Sequence, residues 1–344
     1  MKVRRCITRL KRRKGIFIAF VLFLVLTIKL LNFFVFGNEK MEVLLYRMIK
    51  SYKDKGLIRY ETTQSLCQDH DNTPLKLLIM ISSRITHFHR RTALRKSWIS
   101  LFSSNDTIRY SFVIGRSEST VYNDAANTER NVFNDIILLD LEDTDDSEAS
   151  KTIGILNWTH KNCAKVQYLL KINDDTFLNI YTLNKYLKRN KQENAIIGCK
   201  TDGSENEHFL QKYLFRHLYF STTVQNVHPV YIKSSAYLIT GDIISKLYMA
   251  TNHVQHFCSE DKYITGLCRE YIKAEAVGHS GFSCGYRDKG PCGSNFRYAI
   301  TGNQYYPDEL VRMWKELNNR WSDCRLIDNY WISIAFDTVK KYMF

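Results

Sequence analysis

Four short apolar runs, separated by polar and helix-like stretches, constrain this chain more than any other feature. They are Leu75–Ile81, Arg109–Gly115, Asp135–Leu141 and Tyr168–Ile172, each of strand length. The third is continuous enough to be buried on both faces. The basic stretch His89–Trp98 and the segment Lys151–Cys163 read as helices between them. Strands alternating with helices in this way imply an α/β fold, a mostly parallel sheet with helices on both faces. Ligands of such sheets sit beyond the carboxyl ends of the strands. Whatever follows Ile172 is therefore the first place to look for chemistry.

The chain has 344 residues, enough for a membrane anchor and one large domain. Residues 16–36 are nearly all apolar, with Lys29 and Asn32 the only strongly polar side chains. About twenty such residues span a bilayer as a helix. Eight basic residues precede residue 15 and hold that end in the cytosol, so the C-terminal mass falls across the membrane. Lys29 is close enough to the far end to snorkel. The run is long for a cleaved signal peptide, and no small-x-small site follows it. The expected organisation is a cytosolic tail (1–15), a transmembrane signal anchor (16–36) and a lumenal stem (37–73) ahead of the folded domain.

The net charge of +14 suggests a nucleic-acid partner until it is located. Removing the tail and Lys29 leaves +5 over residues 37–344, which is not the basic stripe that DNA binding requires, so no nucleic-acid partner is expected. Asn105-Asp106-Thr107 and Asn157-Trp158-Thr159 are glycosylation sequons, usable only in the secretory pathway. Eight of nine cysteines lie on the lumenal side, where disulfides are permitted, but their pairing is not readable from spacing.

Two acidic pairs carry candidate chemistry. Asn173-Asp174-Asp175-Thr176 follows the fourth strand and offers hard oxygen ligands to Mn²⁺ or Mg²⁺, which complete their shells with phosphates. Ser259-Glu260-Asp261 opens a helical segment, and one of its carboxylates can serve as a general base. Taken alone, each pair is better read as a helix start, where Asn, Asp and Glu are at home.

The order of the segments changes that balance. Arg90-Arg91 through Arg95 to Trp98, Phe112-Val113-Ile114-Gly115, Glu129, Asp135, Lys151-Thr152, Trp158 and Lys171 through Asn179 follow one another behind the anchor. His228-Pro229-Val230-Tyr231 and Glu260-Asp261 with Gly266 come next. This succession, over roughly residues 75–320, resembles the β-1,3-galactosyltransferase and β-1,3-N-acetylglucosaminyltransferase family, glycosyltransferase family 31.

The resemblance implies a GT-A fold over residues 74–321, with a nucleotide-sugar half (74–200) and an acceptor half (201–321), then an extension (322–344) with no assigned role. It implies a Golgi type II membrane hexosyltransferase that inverts at the anomeric carbon. A UDP-sugar is the donor, Mn²⁺ or Mg²⁺ the cofactor, and a glycan on glycoprotein or glycolipid the acceptor. Asp175 corresponds to the metal ligand, and Asn173 and Asp174 to positions near ribose, sugar and metal. Arg91 and Arg95 are set toward the diphosphate or toward acids beneath it. Asp261 corresponds to the general base, and Glu260 to an orienting neighbour.

Three departures stand out. Asn173 replaces the first of three aspartates, Asn303 stands where many members have a metal-binding His, and Ser234 and Ala236 replace glycines. The weakened metal set of Asn173 and Asn303 supports the alternative, a catalytically silent GT-A domain that binds glycans or a partner. A two-metal phosphodiesterase ranks below both, because it lacks the His-rich second site.

Overall fold

The computed structural model describes residues 59–62, 66–67, 75–104, 107–144, 147–201, 229–255, 259–285 and 299–318. The apolar run 16–36, His228 and the extension lie outside them. Among the described residues no helix is long and apolar enough to cross a membrane.

The four apolar runs form β2 (Leu77–Ser82), β3 (Ile108–Arg116), β4 (Ile136–Glu142) and β5 (Tyr168–Asn173). They lie side by side and parallel in the order β4-β3-β2-β5. The short β1 (Tyr60–Glu61) adds antiparallel to β4 at one edge. On the other side come β8 (Tyr231–Thr240), antiparallel to β5, then β7 (Ala195–Thr201) and β9 (Glu275–Gly278). The sheet is therefore parallel at its centre and mixed beyond it.

Side chains alternate across this sheet, and because both faces are covered the strands read as unbroken apolar runs. One face carries Leu77, Ile79, Ile81, Phe112, Leu170 and Ile172. It packs under α1 (Phe88–Arg95), α4 (Ile180–Arg189) and α6 (Pro307–Asn318), which supply Leu94, Leu183, Leu310 and Trp314. The other face carries Leu78, Met80, Val113, Ile137 and Leu169. It packs under α3 (Glu148–Asn162), α5 (Gly241–His253) and a π-helix, Asp261–Cys268. Helices on both faces, expected from the alternation, are what form. A further helix, α2 (Thr120–Phe133), leads into β4 and ends on Asn134 in the left-handed conformation (φ 51°).

Among the described residues two disulfides, Cys67–Cys163 and Cys199–Cys284, close stretches separated by 96 and 85 residues. The first bond, with β1, ties residues of the expected stem to the sheet. Glu61 strengthens that attachment by accepting from Arg116 at 2.5 Å and from Arg130 at 2.9 Å.

The chain leaves β4 on one side of β2 and places β5 on the other, so the connection changes direction between β2 and β5. A crevice opens at such a switch point, at the carboxyl ends of the strands. Ser83 follows β2 there, and Asp174 and Asp175 follow β5.

Candidate active site

The cap reading of the first acidic pair is resolved by the helix it would have capped. Helix α4 is capped by Asn179, whose Oδ1 accepts from Thr182 N–H at 3.2 Å. Asp174 and Asp175 are left for other work. Between them and α4 lies β6 (Phe177–Leu178), which pairs antiparallel with β10 (Thr301–Gly302). That pairing brings the C-terminal stretch to the site: Tyr305 N–H donates to the Asp175 carbonyl at 3.0 Å. Asn303 is buried close by and accepts from Ser283 Oγ at 2.7 Å.

Within the pair the two carboxylates differ. Asp174 is fastened: Ser83 Oγ donates to its Oδ2 at 2.7 Å, and His87 Nδ1 lies 2.8 Å from the same oxygen. Asp175 keeps 28% of its side chain exposed, against 8% for Asp174. Burial, then the adjacent Asp174 carboxylate, push the Asp175 carboxyl above the usual range, while Arg90 pulls it back. Arg90 Nη1 stands 3.7 Å from Asp174 Oδ1 and 4.0 Å from Asp175 Oδ2, beyond hydrogen-bond distance of either.

The two arginines singled out from sequence meet acids. Arg91 is 1% exposed. Its guanidinium donates to both oxygens of Glu129 at 2.6–3.1 Å, to Ser83 Oγ at 3.1 Å and to the Arg84 and Ile85 carbonyls. Arg95 pairs bidentately with Asp135 at 2.8 Å and reaches Glu129 at 2.8 Å. Together these four charges form a network beneath the loop that carries Ser83. Arg90, one position along α1, is the arginine that faces the acidic pair. Residues 90 and 91 project about 100° apart on a helix, a difference that composition does not reveal.

The second acidic pair lies at the start of the π-helix. Such turns are rare and recur at functional sites. Thr265 fixes the turn, accepting from Ile232 N–H at 2.9 Å and donating to the Asp261 carbonyl at 2.6 Å. Gly266 lets the turn close on the preceding segment, since a Cβ there would stand 3.3 Å from Pro229. Glu260 is buried and accepts from Tyr237 OH at 2.5 Å and from Thr152 Oγ1 at 3.0 Å. Asp261 is half-buried, hydrogen-bonded to Ser259 Oγ and accepting from Lys262 N–H at 2.9 Å.

Sequence reasoning passed over Lys171, the buried cation between the two pairs. Its ammonium donates to Asn173 Oδ1 at 2.8 Å and to the Ser234 carbonyl at 3.0 Å. It stands 3.0 Å from Glu148 Oε1 and 3.8 Å from Glu260 Oε2. A lysine inside an apolar strand with carboxylates on neighbouring elements is the signal that could have found it. Burial works against its charge, but Glu260 and Glu148 more than offset this and hold its proton above the ordinary lysine range. Glu148 is likewise held down at about 2: burial opposes ionisation, and Lys171 and Lys151 overcome it.

Among the described residues no three His, Cys, Asp or Glu side chains converge as a ready-made metal cage. The donor set at β5 is one half-exposed carboxylate with a fastened one behind it. That fits a hard cation that takes few protein oxygens and completes its shell from phosphates and water. It does not fit a cation held by protein alone.

Comparison with known proteins gives a consistent result. The family model described as Galactosyltransferase matches residues 89–279, more than half of the chain. Beta-1,3-galactosyltransferase 1 of Mus musculus is 26% identical over 249 residues, covering 71% of this chain and 74% of that one. UDP-GlcNAc:betaGal beta-1,3-N-acetylglucosaminyltransferase 7 of Rattus norvegicus is 27% identical over 261 residues, covering 69% and 63%. A glycosyltransferase involved in glycosylating the major capsid of PBCV-1 is similar at a TM-score of 0.40 and 10% identity, over 70% of this chain and 99% of that one. That last likeness is too slight to argue from.

Proposed function

The chain belongs to the galactosyltransferase family, and from that premise we propose that it transfers galactose or an N-acetylhexosamine from a UDP-sugar to a glycan hydroxyl, in β-1,3 linkage and with inversion. That it is a glycosyltransferase follows from the family and from the relatives' transferase names. The donor, the linkage and the residue roles are the proposal. Family membership also favours the enzyme over the silent-domain alternative.

The observation that carries the reading is the division of labour within each acidic pair. At the switch point Asp174 is held and Asp175 is presented; at the π-helix Glu260 is held and Asp261 is presented. In this reading the donor diphosphate lies at the carboxyl ends of β2 and β5, facing Arg90. Asp175, with Asp174 behind it, would hold Mn²⁺ or Mg²⁺, which when bound neutralises charge on the leaving diphosphate. Asn173 offers its carboxamide to a donor hydroxyl, and its orientation is set by Lys171. Asp261 removes the proton from the attacking acceptor hydroxyl, a role for a carboxylate that is reachable and rigidly mounted. Inversion requires that attack to come from the side opposite the departing diphosphate. The parallel half of the sheet with its switch-point site supports a GT-A nucleotide-sugar half over 74–200, and residues 201–321 would supply the acceptor half.

The long apolar run behind a basic tail supports a single-pass type II anchor with the catalytic domain in the Golgi lumen. The two disulfides fit an oxidising compartment.

The test is calorimetric UDP binding and UDP release from UDP-sugars by the full-length chain, with Mn²⁺ or EDTA, beside Asp175→Ala. Binding and release that require the metal and vanish in the variant are expected. A folded protein that binds no UDP and turns over no UDP-sugar with Mn²⁺ would overturn the reading.

A further inference from the structure

We propose that Lys171 is a positioning residue that couples the donor side of the site to the base side, one ammonium orienting Asn173 and Glu260 together. The inference rests on the transferase reading above. Its geometric basis is independent of that reading, because four elements converge on one nitrogen. Strand β5 supplies the lysine and, two residues on, the Asn173 carboxamide at 2.8 Å. Strand β8 supplies the Ser234 carbonyl at 3.0 Å, α3 supplies Glu148 at 3.0 Å, and the start of the π-helix supplies Glu260 at 3.8 Å.

Lys171 is fully buried. A buried ammonium must keep its partners in place, since losing one leaves charge uncompensated in a medium that screens poorly. Neither end of the bridge can therefore shift without disturbing the other. Glu260 is fixed from its far side by Tyr237 and Thr152, so the next residue, Asp261, enters the π-helix from a clamped point. Asn173 directly precedes Asp174 and Asp175, so its carboxamide is fixed relative to the donor acids. The placement also gives Asn173 a use. An aspartate there would put a third carboxylate against Lys171 beside Glu148 and Glu260, whereas the amide accepts the ammonium hydrogen bond without adding charge.

The experiment is steady-state kinetics of the full-length chain with a UDP-sugar that wild type turns over. Lys171→Met keeps the length of the side chain and removes its charge. It is expected to raise the donor KM and lower kcat together, each by about tenfold or more, as positioning losses do. Leu247→Ala, which opens the apolar core under α5, is the stability control: it is expected to lower Tm and leave kcat and KM unchanged. Where Lys171→Met does not fold, the coupling is read from Asn173→Ala, Glu260→Gln and the double variant, three changes that keep the lysine. Both residues meet Lys171, so their losses in kcat/KM should be non-additive by about fivefold or more. Losses that multiply to within about twofold overturn the inference. A Lys171→Met protein that folds and loses only Tm, as the control does, overturns it too. Wild type that turns over no UDP-sugar removes the transferase reading and this inference with it; a working wild type with additive variants removes the inference alone.

Discussion

The two acidic pairs are alike in sequence and differ in how their charge is balanced. Asp174 and Asp175 face Arg90, which keeps 27% of its side chain exposed and stands too far from either for a hydrogen bond. Glu260 and Asp261 share the field of Lys171, which is fully buried and hydrogen-bonded into the sheet. In the proposed reading the first cation is exchangeable, one that an arriving metal or diphosphate displaces or recruits. The second is permanent. A donor site must admit and release a charged leaving group every turnover, whereas a general base must stay in one place. On the proposed roles, the difference in burial of the two cations follows that difference in task.

The largest expected effect comes from Asp261, the base of the proposed reading. Asp261→Asn should lower kcat by about 10²–10⁴-fold, the usual value of a positioned proton acceptor. UDP binding measured by calorimetry should be unchanged. If UDP affinity falls in step with kcat, the two pairs are not separate in function and the comparison breaks.

Next in size is a stability effect that separates neighbouring arginines. Arg91→Met leaves Glu129 buried with only Arg95 to balance it, and removal of one partner from a buried pair costs about 3–5 kcal/mol. Denaturant unfolding should show it. Arg90→Ala should leave stability almost unchanged and weaken UDP binding about tenfold, the loss of one charge-assisted contact. In the absence of UDP the same variant should bind Mn²⁺ more tightly, because a competing cation has gone from beside Asp175. A variant that binds both more weakly would show that Arg90 is a fixed structural charge, like Lys171.

What the sequence made legible follows from range. The four central strands fall within two residues of the apolar runs, because a strand buried on both faces writes its burial into consecutive positions. The acidic pairs are visible as adjacent letters, but alone they read as helix starts, and only the order of the segments around them points to chemistry. The direction of β8 was not legible, since its antiparallel pairing with β5 and with β7 joins residues far apart in the chain. Cys67 is bonded to Cys163 across 96 residues of sequence, and eight cysteines hold no such information in their spacing. The choice of Arg90 over Arg91 turns on which face of α1 meets Glu129, a residue on another helix. Lys171 is one polar letter within an apolar strand, and its meaning comes from Glu148 and Glu260, which the fold alone brings to it.

The smallest expected effect tests the permanence of the buried cation through pH. Burial raises the Glu260 carboxyl from 4.5 to about 7, against the opposing pull of Lys171 and Tyr237. The folded protein therefore holds this proton to higher pH than the unfolded chain does. The stabilising contribution of that held proton is complete below about 4.5 and is lost as pH rises through about 7. Tm of wild type should on this account decline between those values, and Glu260→Gln, which cannot ionise, should abolish that part of the decline. The variant should thus compare better with wild type at pH 8 than at pH 5. A Glu260→Gln protein whose Tm runs parallel to wild type across the whole range would mean that Lys171 keeps Glu260 ionised throughout. The base-side pair would then be a fixed ion pair with no titration in the working range, and the contrast with the exchangeable charge at Arg90 would be sharper still.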